Sequence, residues 1–145
     1  MASPVHTVAV GILIQGNRVL LALRSADRRA HPARWALPGG HVEAGESEPD
    51  ALRRELHEEL GIEVLDCEDE PTSRLHLVPG APDTELYLST WRVRSWSGQP
   101  SNVCPDEHDR LAWFSVDELD QLLWAHPEHR QMLTDLLSHS TFEAT

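Results

Sequence analysis

Cysteine, basic charge and long apolar runs are what this chain has least of. Its two cysteines, Cys67 and Cys104, show neither metal-ligand spacing nor the density of a disulfide framework, which points to a reducing, cytoplasmic setting. No apolar stretch approaches the roughly 20 residues that a bilayer-spanning helix requires. The run Val8 to Ile14 lacks a basic flank and a small-residue cleavage pattern, and it leads into Gln15-Gly16-Asn17-Arg18, so it reads as a strand entering a hairpin turn rather than a signal peptide. Lys and Arg number 12 against 24 Asp and Glu, for a formal charge of −12. That balance argues against a long nucleic-acid polymer as partner, because such binding needs clustered basic side chains that release counterions. Internal repeats, low-complexity segments and linkers are absent as well.

What is present suits one domain spanning residues 1–145: a chain of 145 residues, 40% hydrophobic, can bury an adequate core but has no room for a second. Its most defined segment is a helix expected from Glu48 to Leu60. Ser47 is a ready N-cap, Glu48 and Asp50 lie in the first turn where the helix dipole favours anions, and Pro49 sits where a helix tolerates proline. Ser47 with Asp50 approximates a capping box, and Gly61 supplies a left-handed terminator.

Leu52, Leu56 and Leu60 fall on one stripe of that helix and should face the core. Glu55, Glu58 and Glu59 fill an adjacent arc. Spacings of three and four residues crowd like charges there, toward the helix C-terminus where the dipole also disfavours anions. Left alone the arrangement is destabilising. A divalent cation would reverse the sign of the repulsion, and hard Mg²⁺ takes carboxylate oxygens, retained waters and substrate phosphates. Ahead of the helix, Gly39 and Gly40 allow the backbone to approach a ligand or metal with no Cβ in the way.

Residues 40 to 62, GHVEAGESEPDALRRELHEELGI, carry the pattern Gly, five residues, Glu, seven residues, Arg-Glu-apolar-any-Glu-Glu-any-Gly-apolar. A chance match over these nine positions in a chain of this length has a frequency of roughly 10⁻⁸ to 10⁻⁷. In this segment the chain resembles the Nudix hydrolases, and the order of its elements extends the resemblance. The likeness implies an α/β fold with a mixed sheet sandwiched between helices, and hydrolysis of a diphosphate linkage in a nucleoside diphosphate derivative with Mg²⁺ or Mn²⁺. It implies metal binding by Glu55, Glu58, Glu59 and the Gly40 carbonyl, with Arg54 orienting Glu46. Arg54 could also pair with Glu58, four residues on. Because the general base in several members comes from a later loop, Glu107 in Pro105-Asp106-Glu107-His108 is the candidate base and further ligand. Arg24, ending the second expected strand, is the candidate phosphate contact, since a guanidinium grips phosphate through two bonds.

The substrate is less legible. The small single domain and the stretch PDEHDRLAWF, Pro105 to Phe114, resemble MutT-like members, which implies conversion of a (d)NTP, including an oxidised purine dNTP, to monophosphate and pyrophosphate. An ADP-ribose or nucleotide-sugar pyrophosphatase is the alternative, because Pro79 lies seventeen residues beyond Ile62 and such members often carry a proline near that distance. Tyr87 lies too far on to favour dinucleoside polyphosphates. A non-catalytic nucleotide-sensing module of the same fold is disfavoured because Glu46, Glu55, Glu58 and Glu59 are all retained. Family members are frequently homodimers. His108 could titrate near neutrality, and the five tryptophans are expected to pack first.

Elsewhere, alternation predicts strands at His6 to Ile14 and Arg18 to Arg24, paired antiparallel through Gly16-Asn17. Further strands are expected within Trp35 to Val42, Ile62 to Leu65, Ser73 to Val78, Glu85 to Trp96 and Arg110 to Phe114. Pro79 to Pro82 should turn. Helices are expected over Val116 to Trp124 and Pro127 to Leu137, with residues 138 to 145 frayed.

Overall fold

The computed structural model describes residues 6–27, 32–77, 85–106 and 108–143, the side chains of 139–143 excepted. Glu107 and the Pro79 to Pro82 turn lie outside the described residues. The chain divides into two units, Met1–Ile12 with Pro38–Ser101, and Leu13–Leu37 with Asn102–Thr145.

The first unit holds a five-stranded mixed sheet. Strand β1 (His6–Ile12) runs parallel to the first half of the longest strand, β8 (Leu86–Ser97), with Val8 beside Leu88. On its other edge β1 pairs antiparallel with β5 (Gly39–His41), placing Ala9 beside Gly40. Strand β7 (Ser73–Leu77) flanks the first half of β8, and β6 (Glu63–Cys67) takes over along the second half, both antiparallel.

Helix α1 (Glu48–Leu60) has the bounds its caps predict. The Asp50 N–H donates to Ser47 Oγ at 3.2 Å, and Gly61, at φ 72°, donates its N–H to the His57 carbonyl. The leucine stripe is fully buried: Leu52, Leu56 and Leu60 expose nothing to solvent. Each contributes about 1.5–3 kcal/mol by leaving water, which exceeds the tenths of a kcal/mol at stake in each repulsive carboxylate pair on the same helix. The first turn of α1 is tied to the sheet through Glu48, whose carboxylate accepts from Trp91 Nε1 (3.3 Å) and from Arg74 Nη2 (2.9 Å).

The second unit is built on an antiparallel sheet. Strand β3 (Arg18–Arg24) turns back from β2 (Ile14–Gln15) through Gly16 and Asn17, at φ 59° and 60°, the left-handed pair a two-residue hairpin demands. It is flanked by β4 (Trp35–Ala36) and β9 (His108–Phe114). A 3₁₀ helix at Val116–Gln121 and α2 (Glu128–Glu143) complete the unit. Trp35 packs edge-on against Phe114 at 4.8 Å, and Trp124 donates its Nε1–H to the Leu119 carbonyl, so these two tryptophans are core residues.

Three expectations are corrected. The segment His6 to Ile14 is not one strand paired to β3: it breaks at Leu13, only Ile14–Gln15 joins the hairpin, and β1 finds its partners far away in sequence. The helix expected from Val116 to Trp124 is a 3₁₀ helix ending at Gln121. Beyond it the chain extends because Trp35 N–H bonds the Leu123 carbonyl and Ala125 N–H bonds that of Trp35. Residues 138–143 continue α2 rather than fraying, consistent with a stretch that holds no glycine or proline.

His129, on α2, is 1% exposed, and neither ring nitrogen has a hydrogen-bond partner among the described residues. Burial, with nearby His126 adding a smaller like-charge effect, holds its pKa down to about 3 from an ordinary 6.5. The unfolded chain therefore binds the extra proton first as pH falls below 6.5, and the native state loses stability from there toward pH 3. Between pH 7 and pH 5 this group should cost about 2 kcal/mol. Urea unfolding at the two pH values should show that loss in the wild type and a clearly smaller one in His129→Leu; equal losses would clear His129 of the effect.

Candidate functional site

The site residues of the first unit meet where β5 passes over α1. Gly39 has φ 152°, and a Cβ there would run into the Ala9 carbonyl of the neighbouring strand, so the position admits only glycine. A Cβ on Gly40 would occupy the space of the Glu55 carboxylate. The two glycines thus let one turn of α1 bring its acidic side chains against the backbone of β5. The Gly39 N–H donates to Glu59 Oε2 at 3.1 Å, and Glu59 is 4% exposed. A carboxylate this buried requires such a partner.

Arg54 organises the remaining acids. Its Nε and Nη2 grip both oxygens of Glu46 at 2.8 and 3.0 Å, and Nη1 reaches Glu55 Oε1 at 2.9 Å and Glu58 Oε2 at 3.4 Å. Nη2 also donates to the His41 carbonyl at 3.0 Å, and Glu43 stands 3.9 Å from Nη1. The Glu43 N–H donates back to Glu46, closing the loop before the helix. Held chiefly by Arg54 and then by the Glu43 backbone, the Glu46 carboxyl titrates at about 2. The same bonds push the Arg54 guanidinium well above its ordinary range, so it stays charged at any working pH.

The expected residues of the first unit are therefore brought together without closing on a single point. Glu55 lies beneath Gly40, Glu59 beneath Gly39, and Glu58 is half exposed on the outer side of Arg54. Among the described residues no three His, Cys, Asp or Glu side chains form a group able to enclose a metal. The donor chemistry nonetheless fits a hard divalent cation: Glu55 and Glu59, one helical turn apart under a glycine backbone, present only oxygen ligands. Arg24 belongs to the second unit, at the end of β3, and Glu107 is outside the described residues. His108 is 5% exposed at the start of β9, its carbonyl accepting from Asn102 Nδ2 at 2.8 Å.

Sequence reasoning missed the contacts of Arg54 with Glu55, Glu43 and the His41 carbonyl, and the bond from Gly39 to Glu59. The Glu55 contact lies between sequence neighbours, which carry no helical pairing rule. The others depend on where β5 passes, and no local pattern records that.

A model of the NUDIX domain matches residues 5–136. The chain is 36% identical, over 89% of its own length and 86% of the relative's, to a Mycobacterium tuberculosis protein provisionally named 8-oxo-dGTP diphosphatase 2. It is 33% identical, over 74% and 80% of the two lengths, to the nucleoside triphosphatase NudI of Salmonella typhimurium. Among solved structures, a MutT NUDIX hydrolase from Burkholderia pseudomallei superposes with a TM-score of 0.78 at 26% identity, over 92% of this chain and 98% of that one. The extent of the domain match, the similarity over most of the chain and the glycine-cradled glutamate helix lead to one assignment: this α/β protein is a member of the Nudix hydrolase family.

Proposed function

We propose that this enzyme is a MutT-like nucleotide pyrophosphohydrolase that cleaves a (d)NTP, an oxidised purine dNTP among them, to the monophosphate and pyrophosphate. The observation that carries the reading is the seating of Glu55 and Glu59 under Gly40 and Gly39, beside a carboxylate cluster held by Arg54. Such an arrangement suits a polyanionic substrate bridged by a cation and suits little else in so acidic a chain. The substrate class draws support from the names of the relatives, a diphosphatase of 8-oxo-dGTP and a nucleoside triphosphatase.

The cofactor in this reading is Mg²⁺, with Mn²⁺ as substitute, held by Glu55, Glu58, Glu59 and the Gly40 carbonyl, with Glu107 as a further ligand. When bound, the cation would neutralise charge on the phosphate oxygens and lower the pKa of a coordinated water. The chain's own residues do the rest. The Gly39 N–H fixes the rotamer of Glu59, and Arg54 fixes Glu46 and draws Glu55 and Glu58 together, so little reorganisation is left for substrate binding. One carboxylate must accept the proton of the attacking water, and Glu107 is assigned that role. Arg24, Gly39 and Gly40 are assigned to substrate contact. The assignment extends to a single domain over residues 1–145, a cytoplasmic location and a homodimer, with no nucleic-acid or membrane partner. Among the described residues no helix is long and apolar enough to cross a membrane.

Glu58→Gln and Glu59→Gln should each lower kcat/KM by two orders of magnitude or more, about 3 kcal/mol of transition-state stabilisation, while leaving the unfolding midpoint within a few degrees of wild type. Turnover equal to wild type in both variants would refute the assignment. Glu107→Gln should lower kcat more than it raises KM, as expected of a group acting in the transition state; a change confined to KM would make it a binding residue. A panel of dNTPs, 8-oxo-dGTP, ADP-ribose, sugar nucleotides and dinucleoside polyphosphates, run in ¹⁸O water, should place activity with the triphosphates and release pyrophosphate. Preference for ADP-ribose would instead select the nucleotide-sugar reading, and no turnover of any member would leave a binding module.

A further inference from the structure

Glu48, in the first turn of α1, stands on the same side of the helix as two of the acids near its far end. Glu55 and Glu59 follow it by roughly two and three turns, which puts all three within about 20° of one line along the helix. That line meets the sheet at both ends. Glu55 lies against Gly40 and Glu59 accepts from the Gly39 N–H, while Glu48 accepts from Trp91 Nε1 and Arg74 Nη2. The leucine stripe keeps α1 on the sheet, but apolar burial is non-directional and leaves the helix free to slide along its own axis. Only the hydrogen bonds at the two ends resist such a slide.

Arg74 belongs to β7, outside the segment that carries the spaced glutamates, yet it shares a row with Gly40. The register sets Arg74 beside Ser89, Ser89 beside Ala9 and Ala9 beside Gly40, across four strands of one sheet. Arg74 holds both layers at once. Its Nε donates to Ser89 Oγ at 3.1 Å, on a serine with no exposed surface, and its Nη2 donates to Glu48 Oε2 at 2.9 Å. Three strand spacings separate Gly40 from Arg74, about 14 Å, and the helical rise from Glu48 to Glu55 is about 10 Å. The long arginine side chain covers the difference, so α1 bridges the row with Glu48 fixed at one end and Glu55 seated at the other.

We propose that Arg74 is a positioning residue for the cation site: through Glu48 it fixes the axial position of α1 and so keeps Glu55 and Glu59 against Gly40 and Gly39. The inference rests on the divalent-cation reading above. Arg74 acts through the helix and not on the cation, and the sign of its effect tells the two apart. By charge alone, removing a cationic side chain from the neighbourhood of the acidic helix would tighten binding of a divalent ion. Loss of an anchor does the opposite, because a carboxylate displaced by about 1 Å no longer meets its partner geometry.

The test is Mn²⁺ binding to the nucleotide-free protein, followed by the electron paramagnetic resonance of the free ion, in wild type, Arg74→Ala, Arg74→Lys, Glu48→Ala and the Arg74→Ala/Glu48→Ala double variant. Arg94→Ala, on β8 of the same sheet, is the control of equal charge change. Arg74→Ala should weaken Mn²⁺ binding about tenfold, the lower end for residues that act through a metal ligand, and Arg94→Ala should not weaken it. Arg74→Lys should restore part of the loss, since an ammonium reaches Glu48 or Ser89 but lacks the fork that holds both. The double variant should bind no worse than Glu48→Ala, because the two side chains form one link. Arg74→Ala or Arg74→Lys binding Mn²⁺ as tightly as wild type, even with a lowered unfolding midpoint, overturns the anchor, as does a wild type that binds none. Nucleotide turnover is measured alongside: turnover by wild type with an unaffected Arg74→Ala affinity sinks the anchor and leaves the enzyme reading standing. A weakened affinity in a protein that turns over no nucleotide does the reverse.

Discussion

One guanidinium carries the electrostatics of the first unit. Arg54 lies within ion-pairing distance of four carboxylates, those of Glu43, Glu46, Glu55 and Glu58, and donates to the backbone of the strand above them. Without it, like charges at helical spacing would repel one another close to a helix end that already disfavours anions. The leucine stripe holds α1 against the sheet strongly enough to tolerate that repulsion, but burial has no direction, and it is the arginine's planar fork that decides which way Glu46, Glu55 and Glu58 point.

Glycine is the second constraint, and it acts through space it leaves empty. Gly39 is dictated by its contact with the backbone of the strand beside it, and at Gly40 the missing Cβ leaves room for a carboxylate arriving from the helix below. Together they convert an ordinary antiparallel edge into a surface against which Glu55 and Glu59 can lie. The N–H of Gly39 gives the more deeply buried of these acids its partner. Fold stability and chemical readiness are thus settled by the same few contacts.

The second unit handles charge differently. Among the described residues its arginines are dispersed rather than gathered on one carboxylate cluster: Arg110 stacks on Trp35, Arg130 pairs with Asp120 at 2.8 Å, and Arg34 is exposed. Acidic side chains there serve local ends. Glu118, for example, accepts from the backbone and hydroxyl of Ser115 and is held below the ordinary carboxylate range by those bonds.

Sequence alone determined what depends on near neighbours. The bounds of α1, from Ser47 to Gly61, its buried leucines and its acidic arc follow from periodicity and capping chemistry, and the Gly16-Asn17 turn from the left-handed φ values that few other residues adopt. Family membership followed too, because nine spaced positions rarely coincide by chance. Tertiary structure decided the rest. Which strands flank β1, where the segment after Val116 leaves its helix, and how Arg54 divides its donors all depend on hydrogen bonds between residues distant in the chain. A strand's alternation reveals that it has a buried face but not its partner, since every strand offers the same backbone donors and acceptors.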